Sequence, residues 1–438
     1  MKQSILSKDG VSYVVPFILI TSCFALWGFA NDITNPMVKA FSKIFRMSAT
    51  DGALVQVAFY GGYFAMAFPA AMFIRRYSYK AGVLVGLGLY ALGAFMFYPA
   101  KMTGEYYPFL IAYFILTCGL SFLETSSNPY ILSMGTEETA TRRLNLAQSF
   151  NPMGSLLGMY VAMNFIQAKL NPLDTASRAD LTPAEFEAVK EYDLSVLIGP
   201  YLVIGLVILA MFMLILFWRM PKNGDKNHNI DFVPTLRRIF AMPHYREGVI
   251  AQFFYVGVQI MCWTFIIQYG TRVLMADGMA EQAAEVTSQQ YNILAMIIFC
   301  CSRFICTFLL RYINTGRLLM VLAIVGGLLV VGVIGLQNIY GLYCLVGVSA
   351  CMSLMFPTIY GIALTGLGDD AKFGAAGLIM AILGGSVLPP LQATIIDQVE
   401  LLGMPAVNVS FILPFVCFVV IAIYGHRTFL RSKGQLGG

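Results

Sequence analysis

Apolar stretches long enough to leave water altogether recur from one end of this chain to the other. The stretch "SVLIGPYLVIGLVILAMFMLILFW" (195–218) holds no charged side chain, and a helix needs about 20 such residues to cross roughly 30 Å of hydrocarbon. Read against the charge clusters that bound them, such runs predict twelve spans, near 12–38, 51–74, 81–100, 106–134, 144–168, 195–218, 247–271, 288–310, 317–337, 340–366, 373–396 and 407–425. Hydrophobic residues make up 58% of the chain and charged ones 12%, about half the charge of ordinary soluble domains, so a water-soluble core could not absorb this surface. The expected fold class is an all-α polytopic membrane protein with twelve transmembrane helices in a lipid bilayer. The first span lacks a short apolar core followed by a small-residue cleavage site and reads as a retained helix.

Two connections are long: 169–194 is acidic, and 219–246 is basic. The second divides the chain into an N-terminal six-helix half (1–218), a cytoplasmic linker (219–246) and a C-terminal six-helix half (247–438). With both termini inside, roughly two-thirds of the 28 Lys and Arg fall on the cytoplasmic side, as the positive-inside rule requires. The stretch "VKAFSKIFR" (38–46) is discordant, since it puts Lys39, Lys43 and Arg46 outside. The net charge of +5 then reflects topology, and no nucleic-acid partner is expected. A short basic turn with a glycine recurs in the two halves, as "RRYSYKAG" (75–82) and "RYINTGR" (311–317).

Several chemistries are excluded. All nine Cys fall inside apolar runs without paired-loop or ligand spacing, and the three His (His228, His244, His426) lie in polar connections or the tail. No disulfide, no metal site and no cofactor are expected. No glycine-rich loop with Lys and Ser/Thr is present to cradle a nucleotide's phosphates, and no catalytic constellation indicates an enzyme. Proton chemistry inside the spans must then use carboxylates.

A charged side chain at the bilayer centre costs at least about 2.5–3.5 kcal/mol, so each one there is a functional candidate. Glu124, in "GLSFLETSSNPY" (119–130), is the lone charge between Glu105 and Glu137. Ser127 and Asn128 share its helix face at i+3 and i+4. Burial disfavours an ionised carboxyl group, which suits one that must take up and release a proton; a protonated Glu bonded between helices is the alternative. In "LWGFANDITNP" (26–36), Trp27, Asn31 and Asn35 recur along one face with Asp32 beside them. An aromatic ring with amides and a carboxylate suits a polyhydroxylated ligand, although Asp32 near the outer end of its span could simply be solvated.

In "RRLNLAQSFNPMGS" (142–155), Asn145, Gln148, Asn151 and Ser155 form a second polar stripe, which could also be interhelical glue worth about 0.6 kcal/mol per contact. "AQFFYVGVQIMCW" (251–263) aligns Gln252, Tyr255, Gln259 and Trp263, either as an aromatic wall for the apolar face of a ring or as packing. Arg303, in "IIFCCSRFICTFLLRY" (297–312), sits about two turns inside its span. There it needs a carboxylate, carbonyl or ligand partner.

These stretches, with "QVAFYGGYF" (56–64), "MSLMFPTIY" (352–360) and "GLGDDAKFG" (366–374), resemble the fucose:proton symporters of the major facilitator superfamily from about Tyr13 to Arg427. The two-half layout agrees with that superfamily. The resemblance implies uptake of a deoxy sugar, L-fucose, with an inward proton, by rocking of two halves around a central cavity. It further implies a monomeric, multi-pass protein of a bacterial cytoplasmic membrane. Glu124 matches the family's coupling carboxylate. Trp27, Asn31, Gln148, Asn151, Trp263, Phe299 and Arg303 match positions that line its cavity. Two departures stand out. Asn35 occupies the place of an Asp, for which Asp32, one turn earlier, is a substitute, and Phe356 occupies the place of a Tyr, removing a hydroxyl. A glucose, galactose or other hexose carrier, with a proton or another coupling ion, is therefore the rival reading, and a sugar-sensing receptor a remote one.

Overall fold

The structure is a computed structural model that describes residues 7–8, 11–34, 37–47, 54–173, 178, 180–221, 232–396, 398, 400–401 and 403–434. Among these, eleven helices are long and apolar enough to cross a membrane. The fifth expected span, near 144–168, is not one continuous helix: it runs as Ala140–Gln148, then Asn151–Val161, then a π turn over Ala162–Ile166. The span expected near 340–366 is likewise divided into Ile339–Met352 and Met355–Leu364. Proline is the physical reason at both places. Pro152 has no N–H to give the Gln148 carbonyl four residues back, and Pro357 has none for the Ser353 carbonyl.

Contacts divide the chain into two units. One comprises Leu6–Met134 and Phe150–Ile230; the other contains Gly135–Ser149 and Asp231–Gly438. The halves expected from the sequence differ from these units at 135–149, which packs with the later helices. The repeated basic turns become matched helix starts. Ser78 Oγ accepts from the Ala81 N–H at 3.0 Å, and Asn314 Oδ1 accepts from the Gly316 and Arg317 N–H groups at 3.0 and 3.2 Å, each satisfying donors that a helix leaves open at its first turn.

In the first unit, helix α1 (Val14–Thr34), α2 (Leu54–Arg76), α3 (Tyr79–Thr103), α4 (Tyr107–Ser133) and α5 (Asn151–Val161) surround the residues discussed below. A sixth, α6 (Pro183–Phe217), starts well before the expected span at 195, because Thr182 and Glu185 form a reciprocal cap: the Thr182 N–H donates to Glu185 Oε2 at 3.0 Å, and Thr182 Oγ1 accepts from the Glu185 N–H at 3.4 Å. The discordant 38–46 stretch finds its partners here. Lys43 Nζ donates to the Asn171 carbonyl at 2.7 Å, and the Arg46 guanidinium lies 4.9 Å from the centre of the Phe186 ring.

Backbones of α1 and α5 meet at Gly28. A Cβ on it would collide with the Asn151 carbonyl oxygen, while Ser155 Oγ donates to the Gly28 carbonyl at 3.3 Å. Gly28→Val is expected to destabilise the protein by about 1–3 kcal/mol, since neither backbone can yield as a side chain would. A lowered thermal midpoint in detergent measures this, and an unchanged midpoint would contradict the close approach.

The second unit is built on α7 (Pro243–Ala276), α8 (Glu281–Leu309), α9 (Thr315–Gly335), α10 (Ile339–Met352), α11 (Met355–Leu364) and α12 (Ile412–Ser432). Its apolar core runs through Tyr255, Met261, Phe265, Leu319, Val330 and Phe418. Polar ties join its helices. Tyr269 Oη donates to the Val333 and Leu336 carbonyls at 3.0 and 2.7 Å, closing the end of α9, and Glu247 pairs with Arg427 and Arg431 at 2.9 Å each.

Candidate functional site

Each unit carries its own polar cluster. In the first, Glu124 lies on α4 and is 5% exposed, and Tyr63 Oη donates to its Oε1 at 3.0 Å. Ser121 Oγ donates to the Tyr63 carbonyl at 3.1 Å. Tyr63 is brought there by the glycine before it, since a Cβ on Gly62 would collide with Thr117 of α4 and only Gly lets α2 approach so closely. Sequence reading missed Tyr63 as a site residue. Its signal was present, as Tyr60 and Tyr63 are hydroxyl-bearing residues at i and i+3 in an otherwise apolar span.

Around this carboxyl group the polar stripe is buried but incompletely partnered. Asn128 Nδ2 donates to the Glu124 carbonyl at 3.0 Å, so part of that amide serves its own helix. Among the described residues, Ser127 Oγ, Thr125 Oγ1 and Asn31 Oδ1 are buried and take no hydrogen bond. Such atoms cost free energy unless water or a ligand completes them. Trp27 is 2% exposed and packs on Phe24, ring centres 4.1 Å apart. Asn151 Nδ2 donates to the Phe24 carbonyl at 3.2 Å, tying α5 to the same turn of α1. Asp32 is half-buried. Asn35 lies outside the described residues.

The second unit's cluster is aromatic and cationic. Trp263 Nε1 donates to Ser349 Oγ at 3.2 Å, and its ring meets Phe299 edge-on at 5.0 Å. Arg303 stacks its guanidinium over Phe299, 4.6 Å from the ring centre, an arrangement that favours a desolvated cation. Arg303 Nε donates to the Ser353 carbonyl and its terminal NH1 to the Gln148 carbonyl at 3.0 Å. These contacts bring together Gln148, Trp263, Phe299 and Arg303, which lie far apart in sequence. Phe356 is half-buried at the start of α11, with Tyr255 and Tyr360 each 6.1 Å away.

Gln252 is fully buried, and neither atom of its amide takes a hydrogen bond among the described residues, so none links it to this cluster. Gln259 is half-buried on the same helix. No group of three or more His, Cys, Asp or Glu able to hold a metal ion occurs among the described residues.

Comparison with known proteins gives the family. The Major Facilitator Superfamily model matches residues 20–389. The chain is 52% identical over 441 residues to a protein of Haemophilus influenzae named L-fucose-proton symporter, covering 99% of this chain and 100% of that one. It is 29% identical over 408 residues to the glucose/galactose transporter of Brucella abortus, covering 93% of this chain and 92% of that one. Among solved structures, a Major Facilitator Superfamily transporter called FucP, in the outward conformation, superposes with a TM-score of 0.85 at 31% identity, over 95% of this chain and 99% of that one. On the broken twelve-span architecture and this full-length similarity together, the chain belongs to the Major Facilitator Superfamily.

Proposed function

We infer that this protein is a secondary active transporter that imports L-fucose together with a proton by alternating access. The observation that carries the reading is Glu124, a carboxyl group buried in an otherwise uncharged span and held by Tyr63 at 3.0 Å. The printed name of the Haemophilus relative, over the full length of both chains, supports the choice of cargo. Glu124 binds the proton on one side of the membrane and releases it on the other. Trp27, Asn31, Gln148, Asn151, Trp263 and Phe299 contact the sugar. Amides grip its hydroxyls, and rings cover the apolar face that a deoxy sugar presents. Asp32, at the outer end of α1, hands protons to this group. We place the protein as a monomer in the cytoplasmic membrane of a bacterium with both termini inside, the orientation that the Lys and Arg distribution favours.

The test is the pH outside lightly buffered, de-energised vesicles when L-fucose is added. Alkalinisation of the outer medium is the expected result. Entry of labelled L-fucose without a pH change would reject proton coupling and turn attention to Asn35. The Brucella relative's name, and Phe356 without a hydroxyl, favour one second reading, a hexose carrier. Inhibition of labelled L-fucose uptake by a small excess of glucose or galactose would select it.

A further inference from the structure

Arg303 bonds two carbonyls that share an origin. A helix carbonyl normally accepts from the N–H four residues on; for Gln148 that residue is Pro152, and for Ser353 it is Pro357. Each proline leaves a buried acceptor without its helical donor, and Arg303 supplies both, through Nε to Ser353 and through NH1 to Gln148 at 3.0 Å. The guanidinium is 3% exposed and backed by Phe299 at 4.6 Å. Its rigid fork can span two acceptors at once, which an ammonium cannot do with the same geometry.

The carbonyls belong to segments of different history. Ser353 lies at the break between α10 and α11. Gln148 is the penultimate residue of the stretch 135–149, whose neighbours Met134 and Phe150 belong to the other unit. That stretch is fastened to the later helices at further points: Asn145 Nδ2 donates to Thr358 Oγ1 at 3.1 Å, and Glu137 Oε1 accepts from the Gly366 N–H at 3.2 Å. Any rearrangement of the chain on either side of 135–149 pulls on these bonds, and the Arg303 bond is the buried, charge-assisted one among them.

We propose that Arg303 is a positioning residue of the transport cycle, a clasp across the two proline-freed carbonyls of Gln148 and Ser353 that must open for 135–149 to leave the later helices. Its cation serves the backbone and not the sugar. The proposal rests on the transport reading above, and goes beyond it in giving the two prolines and the arginine one shared task.

Deuterium exchange of the full-length protein in detergent tests the clasp without any sugar. Arg303→Met is expected to speed exchange of the 140–149 amides by about 10-fold, while those of Tyr107–Ser133 keep their wild-type rates. Unchanged exchange in 140–149 overturns the clasp. Vesicle and binding measurements then separate it from a general structural role. Pro152→Ala gives Gln148 a helical donor and should mimic Arg303→Met. L-fucose counterflow is expected to change by about 3-fold or more in the same direction in both, with Kd for L-fucose within about 2-fold, and the double variant is expected to lie no further from wild type than the larger single.

Loss of L-fucose affinity in Arg303→Met, with Pro152→Ala at wild-type values, would make Arg303 a direct sugar contact. Effects that multiply in the double variant would separate Arg303 from the Gln148 carbonyl; either outcome overturns the proposal. Should Pro152→Ala fail to fold, Pro357→Ala makes the same comparison at Ser353. If the wild-type protein neither binds nor exchanges L-fucose, the transport reading fails, while the deuterium arm still decides the clasp.

Discussion

Vesicles carrying Glu124→Gln are expected to exchange labelled L-fucose across the membrane but not to concentrate it. Gln keeps the size of Glu and can still accept from Tyr63 Oη, which donates to Oε1 at 3.0 Å in the native protein, so the turn of α4 around it is preserved. What it cannot do is gain or lose a proton near neutral pH. If one proton enters with each neutral sugar, a membrane potential of about 100 mV contributes about 2.3 kcal/mol per turnover, an accumulation of roughly 50-fold. That gradient is expected to collapse to unity in the variant, while counterflow driven by unlabelled sugar persists. Uphill accumulation by Glu124→Gln would remove the proton from Glu124. Loss of counterflow together with accumulation would show that the carboxyl group is needed for sugar binding as well.

Asp193→Asn is expected to give the largest loss of stability of any conservative change in the first unit. Arg178 NH2 pairs with Asp193 Oδ2 at 2.6 Å with both side chains fully buried. Around them, Arg178 Nε donates to the Leu173 carbonyl at 3.1 Å and the Asn171 N–H donates to Asp193 Oδ1 at 2.7 Å. Removing one charge leaves the other buried and uncompensated, a cost of about 3–5 kcal/mol. Replacing both partners by apolar residues, as in Arg178→Met with Asp193→Leu, is expected to cost much less, because no charge is then stranded. Thermal denaturation in detergent compares the three proteins. A single variant as stable as wild type, or a double variant as unstable as the single, would mean that the pair is not buried as a unit. The same network carries Lys43, whose Nζ donates to the Asn171 carbonyl at 2.7 Å.

Span number, fold class and the candidacy of Glu124 were legible in the sequence for one reason. In hydrocarbon every backbone polar group must be bonded within its own segment, and every charge is expensive. Apolar run length therefore maps onto helix number, and an isolated charge onto a task. The aromatic and amide residues were legible as stripes, because helical periodicity puts i, i+4 and i+8 on one face. Periodicity is silent, however, on what that face meets. Trp263, Phe299, Arg303 and Gln148 come from three separate spans, and no spacing rule relates them. Tyr63 was passed over because a tyrosine in an apolar helix is ordinary until a neighbouring helix brings a carboxyl group to its hydroxyl.

The breaks at Pro152 and Pro357 are the clearest division between the two levels. That proline cannot donate to the fourth carbonyl before it follows from covalent structure alone, and could have been read from the chain. Which group takes up the freed carbonyl is a question of distance between residues 155 and 50 positions apart. By itself the sequence determined that this protein is a bundle of about twelve apolar helices with a costly carboxyl group in one of them. Only the tertiary structure decided that Tyr63 holds that carboxyl, that Asp193 neutralises a buried arginine, and that Arg303 joins the two interruptions. Burial and charge cost are properties of residues along a chain, whereas hydrogen-bond partners exist only once helices have packed.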